Sequence, residues 1–200
     1  LAEHNKKFHA EGPYQAHVWA VHTGPHEGEI VWAMGPCTFT DLDSRPDSKE
    51  HNDDWQTNVQ PNIKHASDLE YWKVDKEASY QPEGAPSGKV VWTLYDIKPF
   101  EGYRFSEILK KVAKVYKEKN YEHAFIVYNN QFDGGNGHDV AIETPFSDWA
   151  FFDRDRKFAK DYNEVHGEGS WRLLLEEYKD VVISSVDELA EFLPELSGGN

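Results

Sequence analysis

Residues 90–129 read VVWTLYDIKPFEGYRFSEILKKVAKVYKEKNYEHAFIVYN and indicate the order of elements most clearly. The segments 90–97 and 122–129 are short and rich in aromatic and β-branched residues, which is typical of strands. Between them, apolar residues recur at three- and four-residue spacing with lysines on the other face, which predicts a helix over 102–119. The apolar face of this helix comprises Phe105, Ile108, Leu109, Val112, Val115 and Tyr116.

The same criteria predict further elements on both sides of this stretch. Strands are expected at 14–22, 29–34, 139–144 and, more weakly, 69–74. Helices are expected at 153–165, 170–179 and 186–193. Ser185 would cap the last helix, with Glu188 completing a capping box. Residues 76–89 are polar and rich in Pro and Gly, which predicts a linker.

The two halves of the chain resemble each other at an offset of 107 residues. In both, a strand is followed by a Gly-bearing hairpin loop, a second strand and a Phe-[Ser/Thr]-Asp-[Leu/Trp] motif at 39–42 and 146–149. We therefore predict an internal duplication, with a first repeat at 1–75, the linker at 76–89 and a second repeat at 90–200.

The β-α-β-β-α order of the second half is ferredoxin-like, with helices on one face of an antiparallel sheet. The predicted fold class is α+β, with two tandem ferredoxin-like units whose antiparallel sheets form an α/β barrel. At the same offset, the opening strand and most of the first helix of the first unit fall before Leu1. We therefore expect the chain to lack roughly 20 native N-terminal residues.

Two tandem ferredoxin-like units with aromatic-rich strands resemble the dimeric α/β-barrel superfamily. The resemblance covers most of the chain and rests on element order. It implies that two sheets pack into one barrel, within the chain or across a homodimer. Members of the superfamily include cofactor-free monooxygenases, muconolactone-type isomerases, stress-responsive barrels and haem enzymes of the chlorite dismutase type, and fold analogy does not choose among them.

Composition limits the classes of partner. The chain has 36 Asp and Glu against 21 Lys and Arg, a formal net charge of -15. Phosphate binding needs basic residues, so a nucleic acid or an anionic membrane is not expected as a partner. No apolar run reaches the ~20 residues of a transmembrane helix, and no signal peptide is visible, so the compartment stays open. Cys37 is the single cysteine and is predicted to be a small buried thiol.

A ligand pocket is predicted on the sheet face opposite the helices. Successive residues of a strand point to opposite faces of the sheet. In these strands, one face would carry small and aliphatic residues packed under the helices, and the other face would line the cavity. Aromatic rings with a few polar tips are suited to a small-molecule ligand. The alternative is an aromatic core whose hydroxyls are satisfied by neighbouring groups. The cavity-facing set comprises His17, Trp19, Thr93, Tyr95 and Tyr128.

Three carboxylates are candidate catalytic bases. Asp41 and Asp148 occupy equivalent positions in the two repeats, where burial could raise a pKa toward general-base use. The alternative is that each Asp caps the helical segment after it. Glu143 lies inside an otherwise apolar strand and is a further base candidate. A solvated Glu at a sheet edge explains the same pattern.

Metal and haem sites find less support in the sequence. His17, His22 and His26, with Glu27 adjacent, match no named zinc motif, and we predict no metal site. Residues 133–139 have the composition of a calcium loop but lack its twelfth-position Glu, which favours a turn. His166 follows a predicted helix and could be an axial haem ligand, but the neighbouring glycines favour a loop. No cofactor is therefore predicted, and haem remains an alternative.

These observations predict a soluble barrel protein that binds a small molecule. It would act as a cofactor-independent oxygenase or isomerase with a carboxylate or His base. The competing class is a non-catalytic interaction or stress-response domain, in which the aromatic faces form the core and a dimer interface. A haem-binding barrel enzyme is the third alternative.

Overall fold

The computed structural model describes residues 1–67, 69–85, 88–132, 138–154 and 157–199. These residues form six α-helices and seven β-strands, so the α+β class is confirmed. The tandem ferredoxin-like arrangement stays a prediction. Contacts divide the chain into a first unit, Leu1–His22, His26–Asp68 and Glu191–Asn200, and a second unit, Thr23–Pro25 and Leu69–Ala190. The predicted repeats at 1–75 and 90–200 stay a prediction.

The first unit is built on a short hairpin and three short helices. The strands pair antiparallel, with His17 opposite Ala33. The third helix continues directly into a single π-helical turn, Trp55–Val59. The elements are α1 (Ala2–Phe8), β1 (Ala16–Val21), β2 (Ile30–Met34), α2 (Phe39–Asp43) and α3 (Lys49–Asp54).

The interior of the first unit is unusually polar. Asn5 is fully buried, and its side chain donates to the Leu196 carbonyl at 2.7 Å and accepts from Trp32 Nε1 at 3.1 Å. His4 and His9 are buried beside it. Because buried polar groups are stable only when they are paired, these contacts hold α1 in place.

The second unit is a sheet covered by three helices. Its strand order is β7-β4-β6-β5-β3, and the β4–β6, β6–β5 and β5–β3 pairs are antiparallel. All of β7 except its last two residues belongs to this unit. The elements are β3 (Trp72–Val74), β4 (Lys89–Ile97), α4 (Gly102–Glu118), β5 (Ile126–Asn130), β6 (Val140–Phe146), α5 (Phe158–His166), α6 (Ser170–Val181) and β7 (Val182–Phe192).

The main apolar core lies between this sheet and its helices. Phe105 and Ile108 of α4 pack with Val127 of β5 and Ile142 of β6. Each such side chain contributes about 1.5–3 kcal/mol on burial. The helix predicted over 102–119 is confirmed, because its apolar spacing matches the face that it buries.

The helix predicted over 186–193 is wrong, because these residues continue strand β7. Ser185 and Glu188 therefore do not form a capping box. The segment runs alongside β4, where the Thr93 hydroxyl donates to Asp187 Oδ1 at 2.6 Å. Pairing with β4 and the β-branched start of the segment outweigh a local capping signal, because tertiary context overrides propensity.

Two smaller expectations also change. Within the predicted linker 76–89, Ala78 is fully buried in the main core and Tyr80 forms a β-bridge with Phe125. Cys37 is exposed rather than buried. The turn predicted over 133–139 lies largely outside the described residues. No helix in the described ranges has the length and apolar composition of a membrane span.

Candidate functional site

The second unit carries a carboxyl group on the sheet face opposite its helices. Val140 and Ile142 of β6 pack into the helix-covered core, so alternation places Glu143 on the other face. In the sheet register, Glu143 lies opposite Trp92 of β4. Trp92 Nε1 donates to Glu143 Oε2 at 3.1 Å, and the Tyr128 hydroxyl donates a second hydrogen bond to the same carboxyl group.

The surroundings of Glu143 change its acidity. Burial raises its pKa above the ordinary value, while the hydrogen bonds from Trp92 and Tyr128 favour the carboxylate and lower it. Burial also raises the pKa of Tyr128, and the neighbouring Glu143 adds to this shift. Since β6 lies between β4 and β5, Glu143 is not a solvated residue at a sheet edge.

Other residues of the predicted pocket lie elsewhere. His17 and Trp19 share one face of β1 in the first unit, where both rings contact Phe192. His17 Nε2 also lies 3.0 Å from the Gly35 carbonyl oxygen, so this nitrogen has a backbone partner. Their shared face agrees with the predicted alternation, but both belong to a different unit from Glu143.

Tyr95 and Thr93 were predicted to face the cavity, and the structure places them on the helix-covered side. The Tyr95 ring contacts Phe105 of α4 at 5.1 Å and Tyr178 of α6 at 6.0 Å. Thr93 shares its side of β4 by alternation. The alternation within β4 was thus assigned to the wrong face, because periodicity separates two faces without showing which one the helices cover.

Asp41 is half-buried and Asp148 is exposed, and both lie close to helix starts. Asp41 completes a capping box with Thr38, accepting from the Thr38 backbone nitrogen at 2.6 Å. The hydrogen bonds from Thr38 lower the pKa of Asp41, which is opposite to the shift expected of a general base. Asp148 is the N-cap residue of the 3-10 helix Trp149–Asp153, and its side chain accepts from Ser147 Oγ at 2.8 Å. Asp41 thus supports α2 as the third residue of the capping box that Thr38 begins, whereas Asp148 occupies an N-cap position without a side-chain cap hydrogen bond.

The histidines that the sequence analysis considered as metal or haem ligands do not form a common site in the described residues. His22 pairs with Glu191 at 3.3 Å on the surface, and no metal-ligand group within the described ranges combines His17, His22, His26 and Glu27. His166 is the last residue of α5, and its Nε2 donates to the Lys111 carbonyl at 3.0 Å. That hydrogen bond occupies the nitrogen that an axial haem ligand would need.

A different set of histidines does converge, in the first unit. His4 of α1, His9 just after α1 and His51 of α3 place ring nitrogens within 4.8 Å of one another. His9 Nε2 and His51 Nε2 are 3.1 Å apart. His4 Nε2 is buried and has no hydrogen-bond partner among the described residues. We call these three residues the imidazole cluster.

Aromatic rings and a helix cap hold the imidazole cluster in place. Trp55 contacts the ring of His4 at 5.2 Å, Trp32 contacts His9 at 5.3 Å, and Phe8 contacts His51 at 5.1 Å. Ser48 caps α3 by accepting from the His51 backbone nitrogen at 3.1 Å. Burial lowers the pKa of both His4 and His9, which favours neutral rings.

The sequence did not indicate this cluster. His4 and His9 are five residues apart, which matches no ligand motif, and His51 follows 42 residues later. The Ser48 cap before His51 is visible in the sequence, but it marks a helix start and not a ligand. Only the packing of α1 against the segment after α3 brings the three rings together.

The best-defined surface depressions of the described residues are both open. One lies in the first unit and includes Asp54, whose carboxylate bonds His4. The other lies in the second unit and is lined by residues 73–77, Asn129 and Gln131. Neither includes Glu143 or a residue of the predicted pocket.

Comparison with known proteins gives a fold but no family. No protein-family model matches the chain, and no curated protein matches it in sequence. Among solved structures, the chain is similar to the crystal structure of a "putative monooxygenase" from Lactobacillus acidophilus NCFM. The TM-score is 0.51 at 15% sequence identity, and the match covers 98% of this chain and 87% of that chain. At this identity the similarity shows a shared fold.

Proposed function

We propose that the second unit transfers protons on a small molecule at Glu143, as a cofactor-independent oxygenase or isomerase. The observation that carries this proposal is the half-buried Glu143 carboxyl group with a raised pKa, hydrogen bonded by Trp92 and Tyr128 in the middle of a sheet. Strongly perturbed carboxyl groups in protein interiors are candidate functional sites. A raised pKa makes the ionised carboxylate a stronger base near neutral pH.

The chemistry needs only the groups of this chain and the substrate. The Glu143 carboxylate takes a proton from a carbon beside a carbonyl group, and the C–H electron pair passes to the carbonyl oxygen. Once Glu143 has taken up the proton, its own O–H can donate to the Tyr128 oxygen, and the single Tyr128 proton is then free to stabilise the substrate oxygen. Return of the proton to another carbon completes an isomerisation, whereas an oxygenase uses dioxygen as the co-substrate that takes up the electron pair.

The fold supports an enzyme of this kind by analogy. The solved structure to which the chain is similar is described as a "putative monooxygenase". The resemblance to the dimeric α/β-barrel superfamily, with its tandem ferredoxin-like units and a homodimer, is part of the same proposal. Fold analogy alone does not assign chemistry, so the proposal depends on Glu143.

A non-catalytic function is the second candidate. Two donors already satisfy the Glu143 carboxyl group, and neither of the surface depressions includes it. In that case Glu143 would stabilise the sheet, and its face would be an interaction surface.

Hydrogen exchange at carbon distinguishes these candidates without knowledge of the product. The full chain is incubated in D₂O with a panel of small enolisable carbonyl compounds, and deuterium incorporation is followed by NMR. We expect catalysed exchange that Glu143→Gln lowers about 100-fold or more, as loss of a general base does. Glu122→Gln, at an exposed position of the same unit, should leave the rate unchanged. Absence of catalysed exchange, or equal rates in Glu143→Gln, would support the non-catalytic function.

A further inference from the structure

The proton positions of the imidazole cluster follow from its neighbours. His9 Nδ1 lies 2.9 Å from the Tyr14 carbonyl oxygen, which can only accept, so this nitrogen carries the proton. His4 Nδ1 lies 2.7 Å from Asp54 Oδ2. A carboxylate oxygen accepts hydrogen bonds, so His4 Nδ1 is the donor in this contact and carries the proton.

The third ring is fixed in the same way through Asn52. The Asn52 side-chain nitrogen donates to Asp47 Oδ1 at 2.8 Å. Its Oδ1 therefore faces His51 Nδ1, at 3.2 Å, and accepts from it. All three rings thus hold their proton on Nδ1, so in the neutral form each lone pair lies on Nε2, and one ring nitrogen of each residue lies within 4.8 Å of the others.

Three converging lone pairs repel one another unless a cation lies between them. His9 Nε2 and His51 Nε2 are only 3.1 Å apart, and His4 Nε2 is buried without a partner among the described residues. A buried polar atom left unpaired destabilises the folded protein. A second proton on one ring would relieve part of the repulsion, but it would charge a ring within an aromatic interior.

We infer that His4, His9 and His51 bind one divalent transition-metal ion through their Nε2 atoms. At metal–nitrogen distances of about 2.0–2.1 Å, two ligands of one ion lie about 2.8–3.4 Å apart, from a right angle at the metal to the tetrahedral angle. The His9–His51 separation falls in this range. Neutral imidazoles suit zinc, copper, iron and nickel, and zinc ions in proteins commonly have three histidine ligands.

The groups behind the rings are those of a metal centre. A histidine ligand generally donates its other ring nitrogen to a carboxylate or a backbone carbonyl, which orients the ring and increases its basicity. His4 does so to Asp54, and His9 does so to the Tyr14 carbonyl. Asp54 is itself fixed by Asn58 Nδ2, which donates to its other oxygen at 2.9 Å.

The site supplies three ligands and leaves a coordination position open. No further His, Cys, Asp or Glu joins the group in the described part of the chain. His51 is only partly buried, so solvent can reach the ion from its side. Three protein ligands with an open position are typical of catalytic zinc, where a bound water becomes acidic, whereas structural zinc has four.

A bound ion would also stabilise the first unit. The clusters of buried apolar side chains in the described residues all consist of second-unit residues. In the first unit, His4, Asn5 and His9 are buried along with a few small apolar residues such as Val18 and Val59. Units of this size often depend on a metal ion or a disulfide because their apolar cores are small.

Metal titration of the full chain tests this inference. The protein is first treated with a chelator and dialysed. It is then titrated with Co²⁺ or Zn²⁺ in the presence of excess Mg²⁺, which saturates non-specific sites at the surface carboxylates. We expect one tight equivalent, a visible Co²⁺ spectrum of low coordination number, and paramagnetically shifted NMR signals from three ring Nδ1–H groups. His51→Gln should weaken the affinity more than 100-fold, since it removes a direct ligand, whereas loss of an outer hydrogen bond costs 10- to 100-fold.

A matched control separates this site from general histidine binding. His65→Gln changes an exposed histidine of the same unit and should leave the stoichiometry and affinity unchanged. Circular dichroism of the metal-free variants checks that they fold. The inference would be overturned if the protein failed to bind one equivalent of metal, or if His51→Gln and His65→Gln weakened the metal affinity equally. A Co²⁺ spectrum typical of oxygen ligands alone would also overturn it. None of these outcomes depends on Glu143.

Discussion

Asp54 shows how one carboxylate can prepare an imidazole for a cation. It accepts from His4 Nδ1 and is held by Asn58, so the proton of His4 stays on the side away from His9 and His51. The carboxylate therefore acts on the metal site without touching the ion.

We expect Asp54→Asn to weaken Zn²⁺ binding about 10- to 100-fold, which is the usual cost of losing an outer-shell carboxylate. The asparagine keeps the shape of the side chain but loses the charge. Isothermal titration of the full chain measures this effect. Asp53→Asn is the control, because Asp53 is exposed and pairs with Lys49 and not with a histidine. Equal affinities for Asp54→Asn and wild type would remove Asp54 from the site.

Glu143 predicts a pH dependence of stability. Its pKa is raised in the folded protein above the ordinary value of 4.5, so the folded state binds the proton more tightly than the unfolded state. The contribution of Glu143 is therefore fully present below pH 4.5 and is lost as the pH rises through the folded pKa. Glu143→Gln cannot ionise, so its stability relative to wild type should increase from pH 5 to pH 8.

Urea unfolding at the two pH values measures this change. Glu122→Gln, at an exposed position, should show no such trend. A Glu143→Gln variant that loses stability relative to wild type as the pH rises would mean that the carboxylate is the favoured form in the folded protein.

Sequence reasoning reached some of these residues and not others. Glu143 was identifiable because a charged residue interrupts an apolar strand, and Asp41 because it matches Asp148 at the offset between the two halves, whereas the capping box of Asp41 with Thr38 was not predicted. The imidazole cluster was not identifiable, since His51 approaches His4 and His9 only through tertiary packing. The position of the proton on His51 and on His9 depends on Asn52 and on the Tyr14 carbonyl, and neither residue belongs to a ligand motif.

Among the elements, α4 could be predicted from local sequence patterns, whereas the end of β7 could not. The 17 residues of α4 repeat the helical spacing several times, so the sequence identifies them reliably. The end of β7 contains apolar and acidic residues that fit either a short helix or a strand. Its identity depends on β4, almost a hundred residues earlier, which local spacing does not encode.

Val186→Pro separates the two interpretations of this segment. In a helix capped by Ser185, residue 186 would be the first helical position, where proline is well tolerated. Inside strand β7, proline removes a ladder donor. We expect a loss of about 1–3 kcal/mol in the free energy of unfolding. Val186→Thr keeps the β-branched shape and should cost less. A fully stable Val186→Pro variant would contradict the strand.

At the scale of the molecule, the two units have different interiors. The second unit has an extensive apolar core beneath its helices, whereas polar and imidazole groups are buried in the first. We therefore expect Zn²⁺ to act on the first unit selectively. Hydrogen–deuterium exchange should show increased protection of 1–22 and 26–68 on adding Zn²⁺, with 69–190 unchanged. Equal protection of both ranges would contradict a local metal site.

The most direct measurement is X-ray diffraction from crystals grown with Zn²⁺, recorded on both sides of the zinc absorption edge. We expect one strong anomalous peak about 2.0–2.1 Å from the Nε2 atoms of His4, His9 and His51. Peaks at surface carboxylates alone, with none between the three rings, would contradict it.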